Sequence, residues 1–255
     1  MKKCILWLAF CLLLTACAKE TEAPKIQETE AFVPQTTIAE TEPGWLLPED
    51  EADFEVYRPV LDIYWHALKE KWNPAQCAEG GISLLTAYMV ESGEPLQNLC
   101  FAFHDLEGDG DREMLIAPTI ANGFVDEMVF EAYDLADGKP RLIFTGWERN
   151  RYYLCMEDDG TVWFANEGSG GAAVSYWFYS RYDGNGLNVE KSLIFDADTY
   201  PDAPWLQGSD YSWDYLTMEL IDEAVALAVI DSFDAIKCDI HRGFSHQYTF
   251  DRIPE

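Results

Sequence analysis

The chain has 255 residues and a formal charge of −29, from 46 Asp and Glu against 17 Lys and Arg. At 48% hydrophobic and 14% aromatic residues it holds enough apolar material for a packed core, which excludes a wholly disordered chain. So acidic a surface excludes nucleic acid as a partner, because phosphate recognition draws on clustered Lys and Arg.

Lys2 and Lys3 open the chain, an apolar run follows from Ile5 to Leu14, and Thr15-Ala16-Cys17 comes next. A basic start before about ten apolar residues predicts a secretory signal, too short for a membrane span of roughly twenty. The Leu-Thr-Ala-Cys ending resembles the lipobox of bacterial lipoproteins. That resemblance implies a signal peptide over 1–16, cleavage before Cys17, and a lipid on its sulfur that holds the protein on the outward side of the bacterial cell membrane. Loss of Lys2 and Lys3 takes the charge from −29 to −31. Over 17–48, five Thr alternate with six Glu and four Pro. Nothing there can bury a face, so an extended, solvated tether is expected, with a single folded domain over 49–255.

From Glu49 to Trp72, Phe54, Tyr57, Leu61, Tyr64, Trp65 and Leu68 recur in steps of three and four, which predicts an amphipathic helix despite Pro59. A shorter helix is expected over Ser83–Val90. After Gly93 and Pro95 the pattern changes to about eight short β-rich runs between Leu99 and Phe195, separated by turns such as Asn122-Gly123, Asp159-Gly160 and Asp183-Gly184-Asn185-Gly186. Connections this short leave no room for helical crossovers, so an antiparallel β-meander is expected. Thr217 starts a predicted late helix reaching Phe233, with Leu220, Ala224, Leu227 and Ile230 in its apolar stripe, and Gln247–Ile253 reads as a closing strand. The fold class is therefore α+β.

One cluster carries chemistry. Asp105, Glu107, Asp109, Asp111 and Glu113 place a carboxylate at every second position, opposed only by Arg112, a local charge of −4. Such acids repel one another unless a cation joins them, and Ca²⁺ takes six to eight oxygens from a flexible loop. Gly108 and Gly110 let the chain curl. An EF-hand needs Glu at the twelfth position, where Ile116 stands. The spacing, between strand-like flanks, instead resembles the calcium loops of FG-GAP-type repeats, which implies Asp105, Glu107, Asp109 and Glu113 as ligands, with Asp111 or a backbone carbonyl beside them. The alternative is a solvated acidic hairpin without an ion.

Cys77, Cys100, Cys155 and Cys238 remain beyond Cys17, an even number that permits disulfides, although Cys100 and Cys155 lie in apolar runs that suit buried thiols. No HExxH occurs, and Glu167-Gly168-Ser169-Gly170-Gly171 lacks the first glycine and the following helix of a nucleophile elbow. The aromatic residues gather on two runs, where Trp163, Tyr176, Trp177 and Tyr179 form a possible stacking surface for sugars. A second layer covering these rings is the competing expectation.

In order of features the chain resembles lipobox-bearing surface lipoproteins of gut Firmicutes: lipobox, Thr/Glu/Pro tether, helix, acidic Gly-Asp-Gly loop, Gly-Ser-Gly-Gly turn and a late helix. The resemblance implies a cell-surface location and transfers no catalytic residue. The leading expectation is a non-enzymatic, lipid-anchored surface protein with a structural Ca²⁺ loop and a glycan or protein partner outside the cell. The alternatives are an extracytoplasmic hydrolase acting on glycan or peptide, and a carbohydrate-binding module.

Overall fold

The structure, a computed structural model, describes residues 45–119, 128–147, 149–211, 216–238, 240–244 and 246–254. The expected signal peptide, Cys17, most of the expected tether and the turn expected at Asn122-Gly123 lie outside them. All the described residues belong to one unit, Thr41–Glu255. The folded body starts before Glu49, because Trp45 already packs edge-on against Phe54 and Tyr248, with centroids 5.0 and 6.0 Å away.

The class is α+β with antiparallel sheets throughout. After a 3-10 turn at Pro48–Asp50 comes α1 (Glu51–Glu70), which buries Phe54, Tyr57, Leu61, Tyr64 and Leu68 at the spacing read from sequence. Pro59 sits on its exposed side, where the carbonyl left without an N–H can turn to water. Three short helices follow: α2 (Pro74–Glu79), α3 (Leu84–Val90) and α4 (Pro95–Asn98). Asn73 and Gln76 form a capping box on α2, and Ser83 caps α3 by accepting from the Thr86 N–H at 3.1 Å.

Among the described residues thirteen strands form the expected antiparallel meander, divided between two sheets. β1 (Leu99–His104), β2 (Glu113–Pro118), β4 (Glu131–Ala136), β5 (Lys139–Thr145) and β13 (Tyr248–Thr249) make the first, in the order β13-β1-β2-β4-β5. The second holds β6 (Asn150–Met156), β7 (Val162–Gly171), β8 (Val174–Tyr182), β9 (Leu187–Asp196), β10 (Trp205–Gly208), β11 (Glu219–Leu220) and β12 (Lys237–Cys238), in the order β11-β10-β9-β8-β7-β6-β12. The two-residue β3 (Met128–Val129) pairs with β6.

The core clusters show how the sheets stack. Leu99, Phe101, Phe103, Met114 and Ile116 pack with α1 and α3, whereas their alternates Cys100, Ala102, Leu115 and Ala117 pack with Tyr152, Leu154, Val162 and Phe164 of the second sheet. Cys155, Ala165, Tyr179 and Leu193, on the far side of that sheet, pack under Phe233 of α5 (Glu223–Asp234). The result is four layers, helices–sheet–sheet–helix.

Two expectations near the C-terminus are corrected. α5 begins after Asp222, not at Thr217, because residues 219–220 pair with β10 as β11. The buried positions of α5 are Ala226 and Phe233, while Leu220 and Leu227 stay 50% and 44% exposed. The segment is apolar on every side, so no stripe marks the side that packs. The closing strand is only two residues long and runs into a 3-10 turn at Phe250–Arg252. α6 (Ile240–Gly243) packs between the sheets through Ile240.

Candidate cation-binding cleft

The loop joining β1 to β2 is folded by its own carboxylates. Asp105 accepts backbone N–H bonds from Gly108 at 2.6 Å, Asp109 at 3.1 Å and Gly110 at 3.0 Å. Gly108 and Gly110 have φ of +81° and +98°, a conformation in which a side chain would be strained. Asp109 accepts from the Asp111 N–H at 2.9 Å, and Glu113 from the Leu106 N–H at 2.8 Å. Arg112, the loop's only base, is directed to the helical layer: it pairs with Asp50 at 2.6 Å and with Asp53, and lies over Phe103. The remaining acids of the loop therefore keep no cation of their own in it.

Glu107 leaves the loop and crosses to the second sheet. Its Oε1 comes against Gly184 in the β8–β9 turn, and its Oε2 is buried with no hydrogen-bond partner among the described residues. Burial first, then the charges of Asp109, Asp105, Asp134 and Asp183, push its carboxyl up to about 7. Glu113 is 3% exposed, and burial together with the charges of Glu107 and Asp105 pushes it up to about 8, against the opposing bond from Leu106. Both shifts record carboxylates held where negative charge is unfavourable.

Glu107 lines a cleft of ≈ 490 Å³ with Asp105, Asp159, Arg181, Asp183 and Glu190 among its walls. Asp159 comes from the β6–β7 turn, Asp183 from the β8–β9 turn and Glu190 from β9. Glu190 is the extra residue of a β-bulge, since Ser180 pairs with Val189 and Tyr179 with Lys191. It holds Arg181, the cleft's one base, at 2.5 Å. Tyr182, at the cleft edge, donates to the buried Asp134, which also pairs with Arg141, and Arg141 reaches the Gly184 carbonyl at 3.1 Å. This network ties the β8–β9 turn to the first sheet and fixes the cleft wall.

The predicted ligands are thus divided. Asp105 and Glu107 line the cleft, Glu113 is buried behind the loop, Asp109 bonds locally, and Asp111 is exposed. Among the described residues no group of three or more His, Cys, Asp or Glu side chains is gathered as a bound metal requires. Asp159, Asp183 and Glu190 were missed in the sequence because each reads there as an ordinary turn or strand residue. Asp183 does form the turn expected of it, accepting from the Asn185 and Gly186 N–H groups at 3.0 and 3.1 Å.

Of the four residues expected to form a stacking surface, Tyr179 is internal, while Trp163, Tyr176 and Trp177 are half-buried. Tyr179 is 1% exposed and lies flat on Phe233, centroids 3.7 Å apart, so α5 covers it and leaves it no surface for a sugar. Trp163 meets Phe233 edge-on at 5.4 Å, Trp177 packs on Trp205 at 5.5 Å, and the Tyr176 hydroxyl donates to the Arg149 carbonyl at 2.8 Å. Ser169 bonds the Gly171 carbonyl at 2.8 Å at an irregularity near the end of β7, a structural role. His104 packs at a tilt against Phe244, centroids 4.4 Å apart, and burial lowers its pKa against the raising effect of Asp105. Cys77 and Cys155 are free thiols in different layers, the first in the helical core and the second beneath α5; burial pushes Cys155 up to about 12, which makes it inert.

No family model, curated protein or solved structure matches the chain. Among the described residues no helix is long and apolar enough to cross a membrane.

Proposed function

We propose that this is a lipid-anchored extracytoplasmic surface protein whose β1–β2 loop and adjoining cleft bind a divalent cation, Ca²⁺ before Mg²⁺. The observation that carries the reading is Glu107: a carboxylate oxygen buried without a partner among the described residues, beside acids supplied by three separate connections. An ion entering the cleft would relieve that repulsion, and the loop's flexible oxygens suit Ca²⁺ better than the rigid octahedron Mg²⁺ demands. The ion would join the two sheets at one end and act as a staple. Anchoring rests on the lipobox-like Leu-Thr-Ala-Cys17, and the charge of −31 keeps the body soluble beside the membrane.

Thermal melts of the folded body in Ca²⁺ and in chelator test the ion. A rise in Tm with Ca²⁺ that Asp109→Ala and Glu107→Gln each reduce supports the site, and an undiminished rise in both variants rejects it. Retention of the full chain in the membrane fraction, lost in Cys17→Ser, tests the anchor.

One observation favours a second reading. A glutamic acid pushed up to about 7 in a cleft lined by other acids has the protonation of a general acid, as an extracytoplasmic glycoside hydrolase needs. Release of a nitrophenolate from aryl glycosides, abolished by Glu107→Gln, would support that reading over the staple.

A further inference from the structure

A second polar site lies further along the same sheet. Strand register sets Tyr152, Asn166, Phe178, Ser192 and Gly208 in one row across β6 to β10, and therefore on one side of the sheet. Tyr211, 53% exposed, lies on Phe178 with centroids 4.5 Å apart and planes at 22°. Its hydroxyl takes a bond from Asn166 Nδ2 at 3.1 Å and is also bonded to the Tyr152 hydroxyl. Asn166 is 1% exposed, and its Oδ1 is buried with no partner among the described residues. Turning the amide over exchanges which of its two groups is satisfied and leaves the other orphaned. A buried polar group without a partner in a native fold calls for one that arrives from outside.

A carboxamide offers an acceptor and a donor side by side, and a phenol has only one hydroxyl to meet them. A pyranose ring has hydroxyls on adjacent carbons and a C–H surface that packs on an aromatic ring. One hydroxyl would accept from Nδ2 while its neighbour donates to Oδ1. We propose that Phe178 and Asn166 form a subsite for a pyranose with vicinal hydroxyls, which Tyr211 occupies in the sugar's place. Tyr211 half-exposed at the surface is the group that must swing out. The site shares no residue with the cation-binding cleft and stands without it.

Methyl α-D-glucopyranoside, methyl α-D-galactopyranoside and p-cresol serve as probes, titrated into the parent and into Tyr211→Ala with saturation-transfer NMR as the readout. Removing the internal competitor should tighten binding of at least one glycoside about tenfold, and adding Asn166→Ala should abolish it. Tyr211→Phe, which keeps the stack but loses the hydroxyl, should tighten binding by a smaller factor and serves if the alanine variant does not fold. The proposal is overturned if p-cresol alone fills the slot in Tyr211→Ala, if no probe binds there, or if glycoside binding survives loss of Asn166.

Discussion

Glu107 of the β1–β2 loop rests on Gly184 of the β8–β9 turn, with Oε1 2.9 Å from the position a Cβ on Gly184 would take. Gly184 has φ of +78°, so this turn both needs glycine and clears the space into which Glu107 reaches. Gly184→Ala should cost about 1–2 kcal/mol, chiefly through the left-handed backbone. It should also push Glu107 aside and weaken Ca²⁺ binding. Urea unfolding checks the first effect and a Ca²⁺ titration the second.

The pH dependence follows from Glu107 and Glu113, whose folded values stand at about 7 and about 8, above the ordinary range. The folded chain holds protons there that the unfolded chain has already released. Their contribution to stability is complete below the unfolded value and is lost as pH rises through the folded ones. In chelator, Tm should fall between pH 5 and 8.5. Ca²⁺ should raise Tm more at pH 8.5 than at pH 5, because protons compete with the ion for the same oxygens. Melts in a pH series with and without Ca²⁺ decide it.

Glu131 has no solvent exposure, and it accepts from the Ser83 N–H at 2.6 Å and the Thr86 hydroxyl at 3.2 Å, at the N-terminus of α3. It fixes the helical layer to the first sheet. Glu131→Ala would leave those donors buried and unpaired beside a cavity, a loss of about 3 kcal/mol or more. Glu131→Gln keeps the volume and one acceptor, and should cost about 1–3 kcal/mol. Chemical denaturation of both variants should rank alanine below glutamine.

Phe233→Ala removes the ring on which Tyr179 lies and against which Trp163 packs. A loss of about 3–5 kcal/mol is expected, since few other side chains of α5 are buried. The same variant should raise Trp163 fluorescence quenching by iodide, as α5 loosens from the sheet.

What the sequence makes legible depends on the periodicity each element carries. α1 is visible because one side alone is apolar, and its predicted stripe is the buried one. β1 and β2 are buried on both sides between layers, so Leu99–Phe103 and Met114–Pro118 show no alternation that would reveal a second sheet. α5 is apolar all round, and nothing in its pattern distinguishes the side that meets Phe233's neighbours. At the site, the alternating acids of 105–113 were conspicuous, but half of the cleft was not. Asp159, Asp183 and Glu190 lie more than forty residues further along the chain, in hairpin segments whose local pattern requires no function. Only the stacking of one sheet on the other brings them to Glu107.

The proposed ion held by Glu107 and its loop is open to direct measurement. Isothermal titration of Ca²⁺ into the folded protein at pH 7.5, beside Glu107→Gln, tests it most directly. Saturable binding of one ion per chain, weakened at least tenfold by the substitution, is expected. Absence of binding heat at millimolar Ca²⁺, or binding equal in parent and variant, would contradict it.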